Sequence, residues 1–235
     1  MPPETRTSGS QTLGRGIQIL EILSETREAL TIDALAGQLG VHRSIAYRLL
    51  RTLEDHRLVI RDPSGRVSLG ARMAALAAGV ARDLQSKALP ELTGLANELG
   101  MTCFLVVLDA DECITLASVE PRHAIASVAQ RPGTRHAVTV GAPGKAILSV
   151  LPDDEWPPGV SDHLRIEIAE VTHRGFATSH DEVIPSVQAV AVPLLTRGRT
   201  PAALAAIQVR GDSDPADTAA RLTRAATAIR TALDG

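Results

Sequence analysis

From Leu13 onward the apolar positions Leu13, Ile17, Leu20, Ile22 and Leu23 fall on one side of an amphipathic helix. Thr31 is placed to cap a second helix, with Asp33 in its first turn, where the helix dipole favours an anion. Ile32, Leu35, Ala36 and Leu39 line one face of that helix, and Gly40 ends it. A third helix is predicted from Arg43 to about His56, with Ala46, Leu49, Leu50 and Leu53 inward at i, i+3, i+4 and i+7. Two short alternating stretches, Leu58–Arg61 and Arg66–Leu69, are joined by Asp62-Pro63-Ser64-Gly65 and predict a β-hairpin. A helix from Ala71 to about Lys87 leads away from this unit.

From Leu89 the pattern becomes mixed. Pro90 suits the first turn of a helix ending at Gly100, and Cys103–Leu108 with Cys113–Val119 predicts paired strands around Asp109–Glu112. A second pair is expected near Ala124–Gln130 and His136–Val140, then a helix from Pro143 to Val150 and a proline-rich loop over Asp153–Val160. A helix over Ser161–Arg174, strands Ala189–Leu194 and Ala203–Val209, and an Ala-rich helix over Pro215–Leu233 complete the chain. The fold class is α+β: a Pro/Ser/Thr-rich tail (1–10), a winged helix-turn-helix (11–70), a linker helix (71–88) and an α/β domain (89–235).

The segment from Thr31 to Leu53 carries the sharpest chemistry. Two helices packed at a steep angle need a small residue in the first, here Ala36, and a turn residue tolerant of positive φ, here Gly40. The outward face of the second helix then presents Arg43, Ser44, Tyr47, Arg48 and Arg51, hydrogen-bonding groups suited to the edges and phosphates of a major groove. Arg61 and Arg66 flank the tip of the hairpin, or wing, where backbone phosphates would lie. The net charge of −3 conceals this. Between Gly40 and Gly70 six arginines stand against three carboxylates, a local +3 that leaves about −6 elsewhere.

The remaining composition bounds the alternatives. The chain has 235 residues, 44% of them hydrophobic but only 2% aromatic, so its cores are built from Leu, Val, Ile and Ala. No apolar run approaches the ~20 residues that span a bilayer, the first ten residues are polar, and Cys103 and Cys113 form neither a disulfide framework nor a metal set. A reducing cytoplasm is the expected location, with no membrane partner. Gly141-Ala142-Pro143-Gly144-Lys145 reads as a Gly-rich turn entering a helix, which suits a carboxylate or phosphate or serves only as a tight turn. It is not a nucleotide-binding P-loop, since Thr139 stands where the first Gly belongs and Ala146 replaces the magnesium-holding Ser/Thr.

Leu13-Gly14-Arg15-Gly16-Ile17, Ser44-Ile45-Ala46-Tyr47-Arg48-Leu49-Leu50 and the wing ending Ser68-Leu69-Gly70 resemble the N-terminal domain of the IclR (isocitrate lyase regulator) family. The resemblance continues at Gly141–Ala146, Arg174-Gly175-Phe176-Ala177 and Ala189–Pro193, so it spans nearly the whole chain. It implies a GAF-like effector domain, a linker helix that helps dimerise, and binding as a homo-oligomer, a dimer or dimer of dimers, to palindromic or repeated sites on double-stranded DNA. It also implies a ligand site drawn from His136, Gly141, Ala142, Pro143 and Gly144, joined by His180, Asp181, Ala189, Gln208 and Arg210 from later strands. Arg210 either faces the pocket, where it would pair with a carboxylate effector, or lies on the solvent face of an edge strand. Two departures stand out: a shorter segment before Arg174 and a less acidic Ser179–Glu182 than the family's usual pattern.

The functional expectation is a sequence-specific transcriptional regulator whose C-terminal domain binds a small organic effector, a carboxylate among the candidates, without cofactor or metal. Two other readings compete. In one, the C-terminal domain serves only to oligomerise, aided by small residues such as Ala71, Ala74, Ala75 and Ala78 on the linker helix. An enzyme would use the seven histidines or the cysteines, but no H-x-x-x-H pair and no G-x-S-x-G elbow is present.

Overall fold

The computed structural model describes residues 9–26, 28–123, 127–196, 198, 200–209 and 213–234. The chain divides into two compact units, Met1–Val80 and Ala81–Gly235.

The first unit contains α1 (Gln11–Thr26), α2 (Ile32–Gln38), α3 (Arg43–Asp55), the hairpin β1 (Val59–Arg61) and β2 (Val67–Leu69), and the short α4 (Arg72–Ala77). The Thr31 side chain accepts the N–H of Ala34 and caps α2 as expected. Gly40 takes φ +63, and Val41 N–H reaches back to the Ala36 carbonyl at 3.0 Å, which closes the turn between α2 and α3. Ala46, Leu49 and Leu50 then meet Leu35, Ala36, Val59 and Val67 in one core. On α1 the inward residues are Gly16, Ile19 and Leu23, whereas Leu13 and Ile17 stand exposed. The helical period was legible there, but its phase was set by packing against α3.

The stretch expected as one linker helix is broken. Helix α4 ends at Ala77, and α5 (Arg82–Leu99) starts after Ala81, whose φ of +46 turns the chain off the helical path. Pro90 consequently sits inside α5 and not in its first turn. Lacking an N–H, it leaves the Ser86 carbonyl without a helical donor.

The second unit is a six-stranded antiparallel sheet in the order β5-β4-β3-β8-β7-β6. Its strands are β3 (Thr102–Asp109), β4 (Glu112–Val119), β5 (Arg135–Ala137), β6 (Ala177–His180), β7 (Val187–Leu194) and β8 (Ala202–Val209). Helix α5 and the C-terminal α8 (Pro215–Asp234) cover one face through Leu92, Leu95, Leu222 and Ile229. Helices α6 (Gly141–Leu148) and α7 (Asp162–Arg174) cover the other through Ala142, Ile147, Leu164 and Ile168. Strand β8 lies between the layers and is buried from Ala202 to Ile207, as a strand covered on both faces should be. Its alanines, with Ala189 and Ala191 on β7, let the helices approach closely in a chain almost without aromatics.

Two strand expectations change. Of the pair placed at Ala124–Gln130 and His136–Val140, residues 124–126 lie outside the described residues and 127–130 form no strand. Strand β5 pairs instead with β4, through His136 opposite Cys113. The edge strand β6 carries His180, which the family resemblance assigns to a later strand without bounds.

Candidate DNA interface and ligand cavity

Helix α3 displays its polar face as the periodicity requires. Arg43, Ser44, Tyr47, Arg48 and Arg51 are all exposed, opposite the buried Ala46, Leu49 and Leu50. His42 caps the helix, its Nδ1 accepting the Ser44 N–H at 3.3 Å and lying 2.9 Å from Ser44 Oγ. Arg43 is held by Asp33 of α2 at 3.2 Å, a contact between the two helices of the motif. Arg48 and Arg51 carry no ion pair among the described residues.

The two wing arginines differ. Arg66 is exposed, and its guanidinium donates to the Ala29 carbonyl at 3.1 Å. Arg61 is half-buried and makes two parallel hydrogen bonds to Glu54 of α3, at 2.8 and 3.2 Å, while its guanidinium lies 5.7 Å from the centre of the Tyr47 ring. The tip between them is tightly built. Asp62 Oδ1 accepts the Ser64 hydroxyl and the N–H groups of Ser64 and Arg66, and these bonds, the Ser64 hydroxyl foremost, hold its carboxyl below the usual range.

In the second unit α6 begins at Gly141, two residues earlier than anticipated. Gly141 adopts φ +85, and a Cβ on Gly144 would stand 1.9 Å from the Val138 carbonyl oxygen, so both glycines are required by backbone geometry. Lys145, one of only two lysines in the chain, is buried. Its ammonium meets Glu182 at 2.7 Å and Glu167 at 3.1 Å. The second oxygen of Glu182 accepts the Gly141 N–H at 2.9 Å. The position suited to an external anion therefore holds a carboxylate of the protein itself.

Beside this pair a cavity of about 40 Å³ is lined by His136, Gly141, Pro143 and Ala189 from the expected set. Phe104, Gln130, Ser179, Glu182, Val183, Ile184, Val187 and Ile207 complete it. Gln130 is tied to Thr115 Oγ1 at 2.8 Å. Two buried hydroxyls, of Thr102 and Ser118, lack a partner among the described residues; both belong to the α6 face of the sheet, Thr102 two residues before Phe104 and Ser118 paired across from it. Ala142 and Gly144 are buried within the helix packing and do not line the cavity.

The remaining expected residues are not brought into this cavity. Side chains alternate along a strand, so Ser179, Ala189 and Ile207 face α6 while His180, Gln188 and Gln208 face the other way. These last three are direct neighbours across β6, β7 and β8, and they line an open cleft of about 570 Å³ that Ser179, Glu182 and Ala189 border as well as the smaller cavity. His136 and His180 thus lie on opposite faces of the sheet. Asp181, at φ +59, contacts His180 Nδ1 at 2.8 Å and accepts the Ser186 N–H, which pins the loop carrying Glu182. Arg210 lies outside the described residues.

Sequence reasoning missed Glu182 and the role of Lys145. The available signal was a lone lysine in a Gly-rich turn bound for the core, which demands a carboxylate from elsewhere. Both cysteines are buried, and burial pushes each thiol up to about 12, so neither supplies a thiolate near neutral pH.

Residues 12–63 match the family model of the IclR helix-turn-helix domain, and residues 77–157 match that of the bacterial transcriptional regulator IclR C-terminal domain. The chain is 27% identical to the HTH-type transcriptional regulator XynR of Escherichia coli over 78% of its length and 80% of the relative's. It is 26% identical to the transcriptional repressor IclR of the same organism, over 87% and 81%. Among solved structures, an IclR transcriptional regulator from Alicyclobacillus acidocaldarius superposes with a TM-score of 0.85 at 27% identity, covering 96% of this chain and 99% of that one. An IclR homolog from Microbacterium hydrocarbonoxydans complexed with 4-hydroxybenzoate shares the fold, with a TM-score of 0.82 at 24% identity and coverage of 95% and 99%.

Proposed function

Because the chain belongs to the IclR family of DNA-binding transcriptional regulators, we propose that α3 and the wing contact operator DNA and that the cavity beside α6 binds a small organic effector that changes operator affinity. The observation that carries the DNA assignment is the exposed row Ser44, Tyr47, Arg48 and Arg51 on the face of α3 opposite its core. The protein acts as a cytoplasmic homo-oligomer on palindromic or repeated half-sites. A dimer would set two recognition helices in successive major grooves, about 34 Å apart. Exposed Leu13 and Ile17 on α1 and Leu76 on α4 support self-association of the first unit.

For the effector, the support is a cavity whose walls combine apolar side chains with Gln130, His136 and Ser179. The 4-hydroxybenzoate bound by the Microbacterium homolog makes aromatic acids the first probes. At about 40 Å³ the cavity has room for little more than one water. Its small size favours a second reading, in which the C-terminal unit only oligomerises; under the first, the loop bearing Glu182 must move to admit a ligand.

The test is an anisotropy titration against the gene's own upstream DNA, with random duplex as control, repeated with 4-hydroxybenzoate and related acids. Selective, salt-sensitive binding that an acid shifts supports both halves of the proposal. Selective binding indifferent to every acid favours the oligomerisation reading, and no selective binding to any promoter overturns the DNA assignment.

A further inference from the structure

Resting on the DNA interface just proposed, we propose that Arg61 is a positioning residue and not a phosphate contact: with Glu54 it clamps the wing to the recognition helix and orients Tyr47. Tyr47 and Glu54 are seven residues apart on α3 and so lie on one side of the helix two turns apart. Arg61, the last residue of β1, spans both. Its Nε and Nη2 satisfy the two Glu54 oxygens at 2.8 and 3.2 Å, the forked geometry that fixes direction as well as distance. The same guanidinium lies near the Tyr47 ring, at 5.7 Å. Both charged side chains are about three-quarters buried.

Two consequences follow for recognition. Glu54 lies in the last turn of α3, whose exposed face carries Arg43, Arg48 and Arg51 and ends at Asp55, and a second unpaired carboxylate there would repel phosphate. Arg61 neutralises it, so the pair contributes no net charge to the phosphate interface. The wing and helix also become one rigid reader, and Tyr47 presents its hydroxyl from a fixed place. Arg48, Arg51 and Arg66 remain exposed cations that can meet DNA.

The chain has a single tyrosine, so 3-fluorotyrosine gives one ¹⁹F resonance reporting this contact in the full-length protein without DNA. R61A, R61K and E54Q should each move that resonance, and E54Q/R61A should move it no further. With the upstream DNA, R61A, R61K and E54Q should each reduce selective over random binding by about tenfold, the double variant no more, with the salt dependence unchanged. Lysine keeps the charge but not the fork, which makes R61K decisive. The proposal is overturned if R61K retains wild-type affinity, if R61A lowers the salt slope by about one while E54Q tightens binding, or if the resonance ignores all the substitutions. Absence of selective binding by the wild type would instead remove the DNA interface, and the clamp would still stand or fall on the resonances.

Discussion

Glu182 accepts the backbone N–H of Gly141 at 2.9 Å, joining the loop after β6 to the first turn of α6 across 41 positions of chain. Its other oxygen holds buried Lys145. Two carboxylates, Glu182 and Glu167, already surround one ammonium, so a third from a ligand is unfavourable unless Glu182 withdraws. Substituting Glu182 by Ala should open this seat while Glu167 still partners Lys145. Calorimetry should show aromatic acids binding roughly tenfold tighter to E182A, and their neutral amides unchanged, since a tethered competitor at an effective concentration in the mM range has been removed. Equal or weaker binding of the acids would mean that Glu182 does not compete with them.

The two glycines of α6 predict a graded series in urea denaturation. An alanine at Gly144 drives its Cβ into the backbone of Val138, which cannot yield, and should cost about 3 kcal/mol or more. At Gly141 the obstacle is the φ of +85 and the movable end of Val183, so the cost should be about 1–2 kcal/mol. Gly94, exposed in α5 with nothing within 4 Å of its Cβ position, is the control. There alanine should stabilise by about 0.5–1 kcal/mol.

Arg48 stands on the exposed face of α3 with no ion pair among the described residues. Arg48→Ala should weaken operator binding by about 10- to 100-fold, the effect of losing a bidentate base contact worth about 1–3 kcal/mol. Thermal unfolding and effector binding should be unchanged. If R48A weakens specific and random DNA alike and flattens the salt dependence, Arg48 contacts phosphate and not a base.

Burial raises both thiols, Cys103 and Cys113, from 9.0 to about 12. For an acid raised in the folded state, the native protein holds protons that the unfolded chain releases. The stabilisation is complete below pH 9 and is lost as pH rises from there toward 12. Denaturation midpoints should therefore fall above pH 9, and less steeply in C103A/C113A. A thiol reagent at pH 7.5 should label the native protein only at the rate of its unfolding.

The DNA-reading unit was legible because its signals are local. Ala46, Leu49, Leu50 and Leu53 repeat at the helical period, Gly40 answers a backbone requirement four residues after Ala36, and the outward face of α3 follows by subtraction. Even here the partner of Arg61 was hidden. Periodicity shows that an arginine flanks the wing tip, but only the packing of β1 on α3 brings Glu54 beneath it.

In the second unit the sequence determined the strand-turn-helix entry at Gly141–Lys145 and the strands β3, β4, β7 and β8, but not which helices share a layer. It did not determine which face of β6 and β8 meets α6. A one-residue shift of phase in a strand exchanges its faces, which is why His180 and Gln208 part company with His136. Nor did it determine the partner of Lys145. A buried ammonium calls for a carboxylate, yet several acidic residues qualify, and the long-range fold that stacks the loop after β6 on α6 selects Glu182. Local periodicity is written in neighbouring residues, whereas the charge pairs and strand faces that shape the cavity are set by contacts between residues far apart in the chain.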